Sequence, residues 1–156
     1  YVSGRAGVRG SRDSGVCSTG LALLRRDGFA SMDAGDMEET LTTRPVRFRG
    51  KHLFVNADAA AGELRVEVLD PDGKVIAPFS RANCAPLRSD STLQEVQWKR
   101  TRNLSALAGE PVKFRFLLRR GRLYAFWVSP SKRGASHGFV AAGGPGFTGP
   151  ADPEES

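Results

Sequence analysis

The sequence predicts an all-β chain, an antiparallel β-sandwich of jelly-roll type. Three observations carry this expectation. Between about residues 21 and 128 the apolar side chains recur with a period of two, and no segment sustains an apolar stripe at helical spacing. Roughly eight short runs of this kind are separated by turn signals, as in sandwiches and jelly rolls. Each run is apolar on one face and charged on the other, which fits antiparallel sheets with one wet face.

The elements follow in order. The stretch RRDGFASMDAG, residues 25–35, opens the domain. Asp27-Gly28 reads as a corner, because Asp bonds its own backbone and Gly accepts unusual φ; a short run from Phe29 to Ala34 comes next, with Asp33 near its end. RPVRFRGKHLFVNADA alternates Val46 and Phe48 against Arg47 and Arg49, turns at Gly50-Lys51, and resumes with Leu53 and Val55. GELRVEVLDPDGK sets Leu64, Val66 and Val68 on one face and Glu63, Arg65 and Glu67 on the other. It stops at Asp70-Pro71-Asp72-Gly73, where Pro presets φ and Gly accepts a positive one. KVIAPF reads as a short return strand. STLQEVQWK puts Val96 and Trp98 on one side and Leu93 on the other. NLSALAG, residues 103–109, is a single helical turn at most, ended by Gly109. PVKFRFLLRRGRLYAFWV reads as a hairpin: Val112, Phe114, Phe116 and Leu118 share a face, and Arg120-Gly121 makes the tight turn. Tyr124 and Phe126 then face one way and Trp127 the other.

Residues 1–20 are rich in Gly, Ser and Arg and read as a flexible linker or tail; residues 21–128 form the sandwich domain; residues 129–156 read as a Gly/Pro-rich C-terminal tail. At 156 residues the chain is long enough to bury a core without metals or disulfides. It starts at Tyr1 and is read as a piece of something longer or as a processed product. No apolar run approaches a membrane span. The net charge of +6 favours acidic partners by steering, yet no stacking motif of a nucleic-acid module is present. The expected partners therefore exclude nucleic acid and membranes, and a monomer is expected. Cys17 and Cys84 are too few for a disulfide scaffold; they are read as free, with a bridge open if the first segment folds back.

Several residues are candidates for chemistry. A pair of acids facing each other across a sugar would serve glycoside hydrolysis, but Asp27 and Asp33 each sit beside a Gly and read as turn and edge residues, with Glu38 and Glu39 in the loop that follows. His52, His137 and the two cysteines show no metal-ligand spacing, and neither a nucleophile elbow nor a phosphate loop occurs. No cofactor and no catalytic residue is assigned. The aromatic candidates for a sugar platform or a domain interface are Trp98, Tyr124, Phe126 and Trp127. Trp98 also reads as core, beside Val96. One of the two sets in LYAFW must point away from the sandwich interior or be covered by another element. Arg115 and Arg122, with Arg119 and Arg120, cluster around one hairpin and could hold a sulfated or acidic glycan, or form a solvated face that blunts an edge.

Taken in order, LLRRDGFASMDAG, LTTRPVRFRGKHLFVNADA, GELRVEVLDPDGKVI, STLQEVQWK and LSALAGEPVKFRFLLRRGRLYAFW resemble the C-terminal β-sandwich appended to glycosidase-like β-propeller proteins, the architecture of invertases and related fructan-cleaving enzymes. The resemblance spans about residues 22–128. It implies a non-catalytic accessory sandwich that supports a propeller absent from this chain, with the catalytic acids in that propeller. It implies a secreted protein. The alternative is a carbohydrate-binding module acting on its own, with Asn56, Arg65 or Arg115 as polar donors beside exposed rings.

Overall fold

The computed structural model describes residues 2–6, 16–139 and 149–153. Strands β1 (Val2–Ala6) and β2 (Val16–Gly20) pair antiparallel as a separate ribbon. They lie where the sequence predicts a linker. Then come β3 (Met32–Ala34), β4 (Glu39–Thr42), β5 (His52–Asp58), β6 (Glu63–Leu69), β7 (Asp90–Glu95), β8 (Lys113–Arg119) and β9 (Gly121–Ser129). A four-stranded sheet has the order β3-β9-β5-β7 and a three-stranded sheet the order β4-β8-β6.

From β3 onward each strand lies in the opposite sheet from its predecessor. The pairs β3·β9, β4·β8 and β5·β7 nest one inside the next, all antiparallel. The segment between β6 and β7 continues the nesting through isolated bridges Leu69↔Val75 and Leu64↔Leu87. One long antiparallel arm thus rolls up into two facing sheets, which is the jelly-roll arrangement. The fold class read from the two-residue period is the one observed.

The core lies between the sheets. Leu53, Val55 and Ala57 of β5 face Leu64, Val66 and Val68 of β6 and Phe114, Phe116 and Leu118 of β8, with Trp98 and Leu104 closing one side. Each large apolar side chain buried here contributes about 1.5–3 kcal/mol relative to exposure. Phe126 meets Phe116 with ring centroids 4.9 Å apart. Trp98 is buried edge-on against Phe79, and its indole N–H donates to the Val66 carbonyl at 3.1 Å, so its one polar atom is satisfied.

Four expectations are corrected. First, β8 and β9 do not pair; the turn at Arg120-Gly121 carries the chain from one sheet to the other. Arg120 takes φ of 45°, and a Cβ on Gly121 would lie 2.6 Å from the Asp58 carbonyl, so this corner is packed under the β5–β6 turn. Second, residues 46–49 form no strand. Only Val46 bridges to Val112, while Phe48 packs on Phe114 and the chain crosses the end of the sandwich. Third, KVIAPF contributes a single bridge at Val75 rather than a strand. Fourth, Tyr124 and Phe126 do not share a face. The register slips between Asn56↔Ala125 and Ala57↔Leu123, so a β-bulge at Tyr124 turns Phe126 and Leu123 inward together.

The turns are otherwise as read. Asp70–Gly73 closes with the Gly73 N–H on the Asp70 carbonyl at 3.0 Å, and the 3₁₀ turn Ser105–Leu107 ends at Gly109 with φ of 85°.

Candidate interaction surfaces

The outer face of the four-stranded sheet holds two of the four predicted aromatic candidates, Tyr124 and Trp127, and the chain itself covers it. Arg25 lies over the Tyr124 ring at 4.6 Å while its Nε donates to Asn56 Oδ1 at 2.6 Å and its Nη1 to Asp90 at 2.5 Å. The amide of Asn56, fully buried, donates in turn to the Arg26 carbonyl. Trp127 stacks on Phe54 at 5.8 Å, and its indole N–H donates to the Gly134 carbonyl at 2.8 Å. Ser129 Oγ donates to the Ala135 carbonyl at 2.7 Å, and both residues are buried. A bridge between Phe139 and Ala151 and the bond from the His137 N–H to the Asp152 carbonyl hold residues 149–153 beside this segment. Much of the stretch expected as a C-terminal tail therefore roofs the sheet; residues 140–148 and 154–156 lie outside those described.

Asp152 anchors the roof. Its carboxylate accepts from Arg26 at 2.7 Å and from the Ser136 N–H at 2.8 Å. Burial opposes its ionisation, but the Ser136 N–H and the Arg26 guanidinium outweigh that and hold its pKa below the ordinary value. On the same sheet face, His52 Nδ1 lies 2.7 Å from Glu95 Oε1.

None of the four predicted aromatic candidates is exposed. Trp98 is core, Phe126 packs on Phe114 and Phe116, and Tyr124 and Trp127 are half-buried under Arg25 and Arg26. Asn56 and Arg65 are engaged internally, Arg65 with Glu63 at 3.1 Å and with the Cys84 carbonyl at 2.8 Å.

Three of the four arginines clustered around the β8–β9 corner have acids of their own. Arg115 pairs with Glu67 at 2.9 Å, Arg120 with Asp36 at 2.6 Å and Arg122 with Asp33 at 3.5 Å. Tyr124 first, and Asp33 next, raise the pKa of Arg122. Nearby, Arg88 and Arg65 hold the Glu63 carboxyl below its usual range. This is a surface ladder of alternating charge rather than an anion cradle. Asp27 and Asp33 do not share a partner: Asp27 takes φ of 48° at its corner beside Arg26, and Asp33 accepts from Ser31 on the edge strand. Among the described residues no group of three or more His, Cys, Asp or Glu could hold a metal ion. No helix among them is long and apolar enough to cross a membrane. Cys84 is a free, buried thiol whose pKa burial raises, and the Cys17 side chain lies outside the described part.

The surface that stands out lies elsewhere. Leu21, Leu23, Leu24, Phe29, Met32 and Met37 are all exposed, with Leu23 at 86%, Phe29 at 75% and Met37 at 77%. They occupy one stretch, 21–37, which runs into the edge strands. There β3 and β4 border a small open cleft floored by Leu41, Phe116, Leu118 and Leu123, with Asp33 and Glu39 in its lining. Both edge strands are short, four residues or fewer, and leave the sandwich open on this side. The apolar patch expected around Tyr124–Trp127 is thus covered, and the exposed one sits on the lead-in and the β3–β4 edge. The unperiodic run LALL, residues 21–24, was the sequence signal for it.

Comparison with protein-family models, with curated proteins and with solved structures finds no match for the chain. The resemblance to propeller-appended sandwiches therefore rests on the order of its motifs.

Proposed function

We propose that the chain is a non-catalytic accessory β-sandwich that docks a partner domain through the 21–37 stretch and the β3–β4 edge. The observation that carries this reading is the concentration of six exposed large apolar side chains on that one stretch, beside an apolar cleft. Soluble domains rarely leave such surface open unless something covers it. The paired charges around the sandwich and the spent hydrogen bonds of Asn56 and Arg65 fit a supporting role better than a reactive one. The motif order suggests the partner: a β-propeller of a glycosidase-like, secreted protein. A free-standing sugar-binding module is the weaker reading, because Trp98, Tyr124, Phe126 and Trp127 present no open ring for a pyranose to stack on.

The complete gene product provides the test. A photo-crosslinking residue placed at Phe29 or Met37 should join this domain to a neighbour, and one at Arg119 should not. A gene product without propeller-like blades removes the proposed partner; crosslinks absent from both positions remove the docking surface itself.

A further inference from the structure

The 156-residue chain holds two methionines, Met32 and Met37, and both lie in the docking stretch. Met32 is in the edge strand β3, directly opposite Leu123 of β9. Opposed residues of an antiparallel pair share a face, and Leu123 is core, so Met32 is on the inner face of its sheet. It is nonetheless 55% exposed, because β3 is the last strand of the sheet and the sandwich is open beside it. Met32 lines the cleft there. Met37 is in the loop between β3 and β4 and is 77% exposed. That loop is tied on either side of it. The Arg120 N–H donates to the Gly35 carbonyl at 2.8 Å, Arg120 Nε to Asp36 at 2.6 Å and Arg81 to Glu38 at 2.5 Å. The backbone is held while the thioether stands in solvent.

The other groups that a peroxide attacks are shielded. Cys84 is fully buried, and burial also keeps its thiol protonated. Trp98 is core, and Trp127 is half-buried under Arg26 with its indole N–H on the Gly134 carbonyl. Among the described side chains, open sulfur therefore occurs only at the docking surface. A thioether needs no deprotonation before it reacts, so access sets its rate.

We propose that Met32 and Met37 are oxidation sites that switch the docking edge off, an inference that rests on the docking reading above. The oxidant is a hydroperoxide. A sulfur lone pair attacks the outer peroxide oxygen; the S–O bond forms, the O–O bond breaks, and the leaving hydroxide takes the proton from the new S–OH. The sulfur gives up two electrons and the peroxide is reduced to water. The product is a sulfoxide, polar and chiral where the thioether was apolar. Docking would have to strip water from that S=O group. The cleft floor of Leu41, Phe116, Leu118 and Leu123 has no side-chain donor to replace it. Reductases specific for each sulfoxide epimer restore the thioether, so the switch runs both ways.

The test uses hydrogen peroxide on this chain and on the complete gene product. In this chain, peptide mass spectrometry should find one added oxygen on each methionine, at rates within about tenfold of those in urea. Slower oxidation would mean that the domain covers these thioethers, and would overturn the proposal. In the complete gene product, oxidation should speed hydrogen exchange at Glu39–Thr42 at least about tenfold, the equilibrium worth of burying one methionine. Treatment with both sulfoxide reductases should reverse the change. The variant Met32→Leu/Met37→Leu keeps an apolar surface of similar volume and retains both cysteines and both tryptophans, so its exchange should not respond to peroxide. The variant Met32→Gln/Met37→Gln puts polar amides at the same places and should exchange fast with no peroxide added. Thermal melts check that both variants fold. Unchanged exchange in the oxidised protein, or an equal response from the leucine variant, would overturn the proposal. Failure of the docking reading looks different: the unoxidised gene product then exchanges at Glu39–Thr42 as this chain does, and the switch falls with it.

Discussion

Arg26 and Asp152 stand 2.7 Å apart although 126 positions separate them in the chain. Their contact joins the turn that leads into the sandwich to the segment that leaves it, and both lie over the outer face of the four-stranded sheet.

That contact makes the roof sensitive to acid. The folded pKa of Asp152 is below its ordinary 3.8. A carboxyl of this kind contributes its stability in full above the unfolded value and loses it as pH falls through the folded one. The roof should therefore hold at neutral pH and loosen below about pH 4. Asp152→Asn should loosen it at pH 7, at a cost of about 1–3 kcal/mol for a half-buried ionic hydrogen bond. Fluorescence of Trp127, followed in a Trp98→Phe background, should shift to the red in the Asp152→Asn variant at pH 7; an unchanged spectrum in that variant would count against the roof.

Gly62 tests the arches between the sheets. A Cβ there would lie 1.8 Å from the Arg119 carbonyl, so the two turns abut backbone to backbone. Gly62→Ala should cost about 3 kcal/mol or more in urea unfolding, at the upper end for overpacking. Gly35→Ala, with nothing within 4 Å of its Cβ, should stay within about 0.5 kcal/mol. Equal effects at the two sites would mean that the β5–β6 and β8–β9 turns do not meet.

How much of this was legible in the sequence depends on how local the signal is. β6 and the apolar face of β8 follow from strict alternation, because one face of each is dry and the other charged. The exposed side of Leu93 and the burial of Val96 and Trp98 follow for the same reason. The β8–β9 corner misleads, since a tight turn with a permissive Gly serves a hairpin and an arch equally well; which sheet receives the next strand is a tertiary matter. The bulge at Tyr124 is equally silent, and it alone moves Phe126 inward while Tyr124 meets Arg25. The roof was hidden because it is made of Gly134, Ala135 and backbone carbonyls, whose composition reads as a linker.

Cys84 supplies a check on the core. It is fully buried, and its Sγ accepts from the Val66 N–H at 3.3 Å. Burial raises its pKa, which lowers the thiolate fraction at neutral pH. In a Cys17→Ser background, maleimide labelling at pH 7 should be slow in the native state and at least about tenfold faster in urea. Rapid native labelling would place this residue outside the core.

The exposed apolar side chains of this stretch should be dispensable for folding. Leu23→Ser, Phe29→Ser and Met37→Ser should each change stability by no more than about 0.5 kcal/mol, as surface substitutions do, while lowering binding of a hydrophobic dye. A loss of several kcal/mol would show that these side chains are covered in solution by the domain itself.

The docking edge itself is tested most directly by hydrogen exchange at Met32–Ala34 and Glu39–Thr42, compared between this domain alone and the complete gene product. Slower exchange of these amides in the complete protein, with β6 unchanged, is the result expected of an edge that a partner covers. Identical exchange in both would contradict it.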